Sequence, residues 1–350
     1  MKKFLFILIT LMIFFKTGNV LTEQSIFTVN NLKMVKKNYN NIDDLTNDAF
    51  RKGFKKLNKK ILLDKDFKKI EKTNLKTIKN LISHYQILNN NEKIENEFIE
   101  FNIFFKRDKI YNFYFKNDIR YSDISDKSLK ILPVLIIDNE VLIYEKNYFY
   151  ENWISDKEDN HRESLLEFIL PIENIEVIDS IKKNRENLEA VKLSEIFDES
   201  KDKDNLYILI DYNRKMTKVF LKGNISKKKI IKNIKITSEN NNKNISFEQI
   251  LISLKKEILE MIKSQNIIDV RTPSFLNVNL LIKEQNDLLK TQNILNDEDL
   301  IESFYVNEFN NRIANIKIKY YGKINKITEK LYKRGLNFET DGESWKVRVN

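Results

Sequence analysis

Only two imidazoles, His84 and His161, occur in the chain, and there is no cysteine. A protein-bound metal normally needs three or four donors. Neither histidine stands in an H-E-x-x-H run, so His84 reads as a strand residue and His161 as a solvated loop residue. The missing cysteines remove any disulfide framework, thiolate nucleophile or lipidated anchor. Ser226-Lys227-Lys228-Lys229 and Ser253-Leu254-Lys255-Lys256 match S-x-x-K, but the partner motifs S-D-N and K-T-G are absent. The second match also sits inside a helical run, so neither serine reads as a nucleophile. The acidic pairs Asp64/Asp66, Asp202/Asp204 and Asp297/Asp299 could do acid–base work or hold calcium. They lie in polar turns without the glycine and closing glutamate of a calcium loop, and read as caps or solvated loops. Six glycines form no phosphate-cradling loop. No catalytic residue, metal ligand or cofactor site is therefore expected.

Two aromatic groups remain. Phe101, Phe104, Phe105, Tyr111, Phe113, Tyr114 and Phe115 suit the core of a β-rich domain better than a stacking platform. Tyr148, Phe149, Tyr150 and Trp153 bunch just before a polar stretch and are placed to line an interdomain groove, with core packing as the competing use.

The elements that would position these residues follow from hydrophobic periodicity. With 350 residues, 41% hydrophobic and 32% charged, the chain can build two or three domains with real cores. Lys2 and Lys3 precede an apolar run, Phe4 to Phe15, of signal-peptide length and short of a membrane span. This predicts a signal peptide over residues 1–22 and a periplasmic or envelope protein; an uncleaved inner-membrane anchor is the alternative. A first α+β domain is expected over 23–154, with a strand ending at Val35, an amphipathic helix within Ile42 to Leu63 that Asp43 or Asp44 caps, and a hairpin around Asn139. The polar stretch Ser155 to Glu163 marks the boundary to a middle α+β domain over 155–272. That domain would hold a helix at Leu188 to Phe197 and the clearest helix of the chain, Phe247 to Ile262, with Ile250, Leu251, Leu254 and Ile258 on one stripe. Residues 273–350 read β-α-β-β-α-β, a ferredoxin-like order that hosts many functions. The fold class is α+β, small mixed domains in tandem.

The net charge is +10, and +7 without Lys2, Lys3 and Lys16. Such a balance suits a polyanionic partner. The crowding of Lys, Asn and Ile with scarce Gly, Pro and Ala, and the acidic residues interleaved along the chain, favour compositional drift instead, and the lysines of the first helix read as a solvated face.

The order of segments resembles a bacterial family of exported proteins, domain of unknown function 2066 (DUF2066). The resemblance runs through the leader with SIFTVNNLKMV and then DDLTNDAFRKGFKKLNKKIL. It continues through LKILPVLIIDNEVLIYE around Pro133, FILPIENIEVI around Pro171 and the closing LYKRGLNFETDGESWKVRV. The chain departs from the family's Ala, Gly and Arg richness. The resemblance implies an exported envelope protein with no assigned catalytic residue. The expectation is a non-enzymatic module contacting an envelope protein or polymer, with no nucleic-acid partner and membrane contact only through an uncleaved leader. An exported carboxylate-dependent hydrolase and a basic polyanion-binding protein are the alternatives.

Overall fold

Helix α1 (Ile42–Ile61) shows how the first unit starts. Asn41 caps it, its side chain accepting from the Asp44 amide at 2.7 Å, and Asp43 and Asp44 occupy the first turn. Leu45, Ala49, Phe50, Phe54, Leu57 and Ile61 recur at helical spacing and are buried against a three-stranded antiparallel sheet. That sheet has the order β1-β3-β2, from β1 (Thr28–Val35), β2 (Ile82–Ile87) and β3 (Phe98–Phe105). Two short helices, α2 (Asp64–Ile70) and α3 (Leu75–Leu81), follow α1, and α4 (Arg107–Lys116) follows β3. The computed structural model describes residues 25–88, 98–124, 127–154, 166–198, 204–237, 243–340, 342 and 344–350. The expected leader, the polar boundary stretch, His161 and Asp202 lie outside the described residues. Among the described residues no helix is long and apolar enough to cross a membrane.

The second sheet begins earlier than the sequence suggests. β5 (Lys127–Ile137) and β6 (Glu140–Leu142) pair with each other, but β5 also runs parallel to β8 (Asn205–Asp211), from Lys130↔Asn205 to Ile136↔Asp211. The hairpin around Asn139 thus belongs to the middle sheet, and the expected boundary at 154/155 falls inside it. The sheet order is β10-β9-β8-β5-β6, with β7 (Leu166–Ile169) also on β5, and with β9 (Met216–Ile225) and β10 (Lys228–Thr237) as a hairpin. β8 is buried on both faces, as a near-continuous apolar strand requires. Leu206, Ile208 and Ile210 face α5 (Tyr148–Asn152) and α7 (Lys243–Gln265). Tyr207 and Leu209 face α6 (Ile175–Lys183) and the segment 188–197. The helix expected at Leu188 to Phe197 is instead two 3-10 turns, Leu188–Ala190 and Leu193–Glu195. Leu188, Val191, Ile196 and Phe197 all reach the sheet, which a straight helix of that length would not allow.

The third sheet has the order β13-β14-β12-β16-β15. Its strands are β12 (Ser274–Leu281), β13 (Ile301–Phe309), β14 (Ile313–Tyr320), β15 (Leu336–Thr340) and β16 (Trp345–Val349), with α8 (Asp287–Asp297) and α9 (Ile324–Lys333) on one face. The chain carries one strand more than the expected order. β15 forms the edge, and β16 lies between it and β12, parallel to β12.

These units are not simply in tandem. Residues of the first and third sheets form one continuous hydrophobic cluster, from Ile26 to Val347. The middle sheet is inserted between them through a two-stranded neck, β4 (Tyr121–Ser122) paired antiparallel with β11 (Ile267–Ile268). The chain enters and leaves the insertion side by side. The class is α+β.

Candidate functional site

The aromatic quartet does not line a groove. Phe149 and Trp153 are fully buried in the middle sheet's core, and Tyr148 packs edge-on against Phe149 and beside Phe247. Tyr150 turns to the opposite core, edge-on to Tyr144, with its hydroxyl donating to the Pro171 carbonyl at 2.7 Å. Asn147 causes this arrangement. β5 meets β7 at its start and β6 at its end, leaving a gap where Pro133, which has no N–H, faces outward from β8. Fully buried Asn147 fills the gap, donating to the carbonyls of Pro133, Leu142 and Ile143, while its carbonyl caps α5 at Phe149 and Tyr150.

The other flagged residues disperse likewise. Phe101, Phe105, Tyr111 and Tyr114 are core, while Phe115 is exposed. His84 stacks on Phe104 at the surface. Ser226 sits in the β9–β10 turn, accepting from Lys127, and Ser253 lies within α7. Asp64 pairs with Lys256, Asp66 with Lys69, and Asp204 with Lys127. Among the described residues no three His, Cys, Asp or Glu side chains stand close enough to share a metal.

Three groupings emerge that single motifs did not announce. The first is a buried ionic network at the neck. Asp123, fully buried, lies 3.0 Å from Lys326 and 3.2 Å from Lys330, which share a face of α9. Lys330 is also 3.7 Å from Glu298, which lies 3.5 Å from Arg334 one turn further along the helix. Burial raises Glu298 above the usual carboxylate range despite these cations. Burial also raises Asp299, which accepts from Ser25 Oγ and the Ile26 amide. Lys326 is lowered by burial against the pull of Asp123. On the other side of the neck, buried Lys263 of α7 donates to the carbonyls of Lys59 and Leu62 at the C-terminal end of α1. Each member of the network is tied to helix ends and crossover backbone, so its geometry serves assembly.

The second grouping is charge. From Arg51 to Lys79 stand twelve basic and three acidic residues, a net +9 within 29 residues. With that segment and the three leader lysines set aside, the rest of the chain nets −2. The segment comprises most of α1 with α2 and α3, which both pack on α1. Arg51, Lys65, Lys68, Lys72, Lys76 and Lys79 are exposed and hold no ion pair to a described residue. A second run of the same net charge, nine basic and no acidic residues from Arg214 to Lys235, lies on and beside the β9–β10 hairpin.

The third is the outward face of the C-terminal sheet. Leu276, Val278, Leu280, Ile316 and Ile318 point to the helices, so Phe275, Asn277, Asn279, Asn315, Lys317 and Lys319 alternate onto the opposite face. Registers Asn279↔Asn315 and Glu308↔Asn315 set three polar side chains in one row. Asn277↔Lys317 and Tyr305↔Lys317 form the next row. At the hairpin end a cleft of about 330 Å³ is lined by Asn279, Glu308, Phe309, Asn310, Ile313 and Asn315. On this face Phe275 and Tyr305 are 57% and 62% exposed.

No family model matches the chain, and no curated protein or solved structure is significantly similar to it.

Proposed function

We propose that the chain is an exported, non-enzymatic envelope protein that docks on an anionic bilayer surface through α1, α2 and α3. The carrying observation is the net +9 of one helical layer of 29 residues. Several of its exposed cations have no acidic partner to neutralise them. Apposed phosphates attract such a layer by about 1 kcal/mol per Lys or Arg within a Debye length. The apolar leader and the resemblance to exported DUF2066 proteins support a location beside a membrane. Asp64, Asp66 and Asp204 are held in ion pairs and Asp299 binds Ser25 and the Ile26 amide, which favours binding over hydrolysis. The exposed lysines of α2 and α3 carry no interleaved exposed ring, which favours a phosphate surface over stacked bases.

Co-sedimentation of the full chain with vesicles tests the reading. Phosphatidylglycerol-rich vesicles should retain it and phosphatidylcholine vesicles should not, with retention falling steeply as salt rises. Replacing Lys65, Lys68 and Lys72 together by Gln should weaken retention by about 3 kcal/mol, roughly a hundredfold. Equal retention on both vesicle types, or tighter salt-sensitive binding to duplex DNA, would overturn it.

A further inference from the structure

We infer that the cleft and adjoining face of the C-terminal sheet form a binding site for an uncharged, hydroxyl-rich glycan. The site lies outside the basic helical layer and does not depend on it.

The argument rests on which groups are left free. The charges on this face are largely answered from within. Lys319 pairs with Glu302 at 2.8 Å, Arg348 with Glu339 at 3.3 Å, and the Lys317 ammonium lies 5.0 Å over the Phe275 ring. An anionic ligand would have to compete with those partners. Asn277, Asn279 and Asn315 are different: their side chains make no hydrogen bond to another described residue. Each amide offers two donors and one acceptor oxygen. The Glu308 carboxylate adds two acceptor oxygens in the row of Asn279 and Asn315. A sugar presents hydroxyls that donate and accept at neighbouring positions, the pattern that paired amides and one carboxylate satisfy.

The apolar side of the site matches as well. A pyranose ring is bounded by a C–H face, which an exposed aromatic ring receives by dispersion and loss of hydration. Ile313 supplies such surface in the cleft, which Phe309 bounds at the hairpin end. Tyr305 stands one row further along and Phe275 one row beyond that on β12. Rows two residues apart are about 6.6 Å apart, so the face from Asn279 to Phe275 extends roughly 13 Å. That length accommodates more than one sugar unit, and the cleft volume is at the small end of ligand sites. These side chains stand on paired strands, so the site is preformed and ordering costs little.

The experiment is a binding screen of the full chain against neutral chito-, cello-, malto- and xylo-oligosaccharides by titration calorimetry. At least one series should bind, with affinity rising from the monosaccharide to the trisaccharide and unchanged at high salt. Asn279→Ala with Asn315→Ala should weaken that affinity at least tenfold, and so should Tyr305→Ala alone. All three positions are at the surface of the sheet, and an unchanged thermal melt confirms the fold. The Lys65, Lys68 and Lys72 glutamine variant should bind the sugar normally, which separates this site from vesicle docking. The inference fails if no series binds. It also fails if binding is lost with salt, or if the bound sugar is insensitive to the asparagine and Tyr305 changes. Capture of an extended peptide at the β13 edge with those variants still competent would likewise overturn it.

Discussion

Replacing Asp123 by Asn removes one negative charge from the neck while keeping the side chain's shape. Two ammonium groups, at 3.0 and 3.2 Å, then face a neutral amide. At an effective dielectric constant near 20, each lost contact is worth about 5 kcal/mol of gross Coulomb attraction. Most of that is offset, because the fully buried carboxylate no longer has to be stripped of water. Removing one partner of a buried pair typically costs about 3–5 kcal/mol. Here the figure is discounted twice. The side chains of Lys326 and Lys330 are 24% and 12% exposed and regain some hydration, and Lys330 keeps Glu298 at 3.7 Å. About 2–3 kcal/mol remains. Because β4 and β11 contribute only two residues each, the loss should appear first as local opening of the neck. Native-state hydrogen exchange reads this directly. Amides of Ser122, Asp123 and Ile268 should exchange about 30–150-fold faster in the variant, while those of β8 keep wild-type rates. Unchanged neck exchange in a folded variant would refute the electrostatic clasp, and uniform acceleration in β8 and the neck would refute its local character.

Two further outcomes follow from the same physics. Asn147→Ala strips donors from the carbonyls of Pro133, Leu142 and Ile143 and uncaps α5, so urea unfolding of the middle sheet should show a loss of about 3–5 kcal/mol; a change under about 1 kcal/mol would mean that water replaces the amide. Glu298 is raised by burial, so its protonated form favours the folded state. That contribution is full below the ordinary carboxylate pKa and disappears as pH rises through the raised value. Glu298→Gln removes this titration, so its stability should decline less than the wild type's from about pH 4 to pH 7, with Asp299 retaining its own slope. Parallel denaturation curves across that range would contradict the assignment.

Local patterns made much of the fold legible. Ile313–Tyr320 and Trp345–Val349 alternate cleanly, and the stripe of Ile250, Leu251, Leu254 and Ile258 marks α7. Short elements escaped. α2 and α6 span seven and nine residues, too few turns for a period to register, and α5 spans five residues that a capping asparagine starts. The middle sheet escaped for another reason. Lys130 pairs with Asn205 across 75 positions, and no local period encodes a partner that distant. The polar run after Trp153 reads as a linker only if one assumes that sheets close locally. The candidate surfaces were half legible. The lysine face of the first helix is visible in its sequence, but its continuation through α2 and α3 to Lys79 depends on how those short helices pack. The row of Glu308, Asn315 and Asn279 joins three strands through strand register, which includes a bulge between Val306 and Glu308.

The insertion explains why buried charge collects where it does. A neck of two short strands satisfies few backbone groups, and the crossing chain must still leave one core and enter another. Side chains take over that task. Ser122 Oγ donates to the Lys263 and Asn266 carbonyls, and Lys326 donates to the Asp123 carbonyl. Lys263 closes the end of α1 and Arg107 binds the Glu298 and Asn296 carbonyls. An apolar junction of similar volume could be as stable, but it would not fix which backbone groups meet. The first and third sheets share one hydrophobic cluster. The basic helical layer and the amide-lined cleft are therefore carried by one body, whereas the middle sheet reaches that body through polar contacts that single substitutions can loosen. Loosening the neck should then leave both proposed binding surfaces intact, and an Asp123→Asn variant that lost vesicle retention would show that the middle sheet takes part in docking.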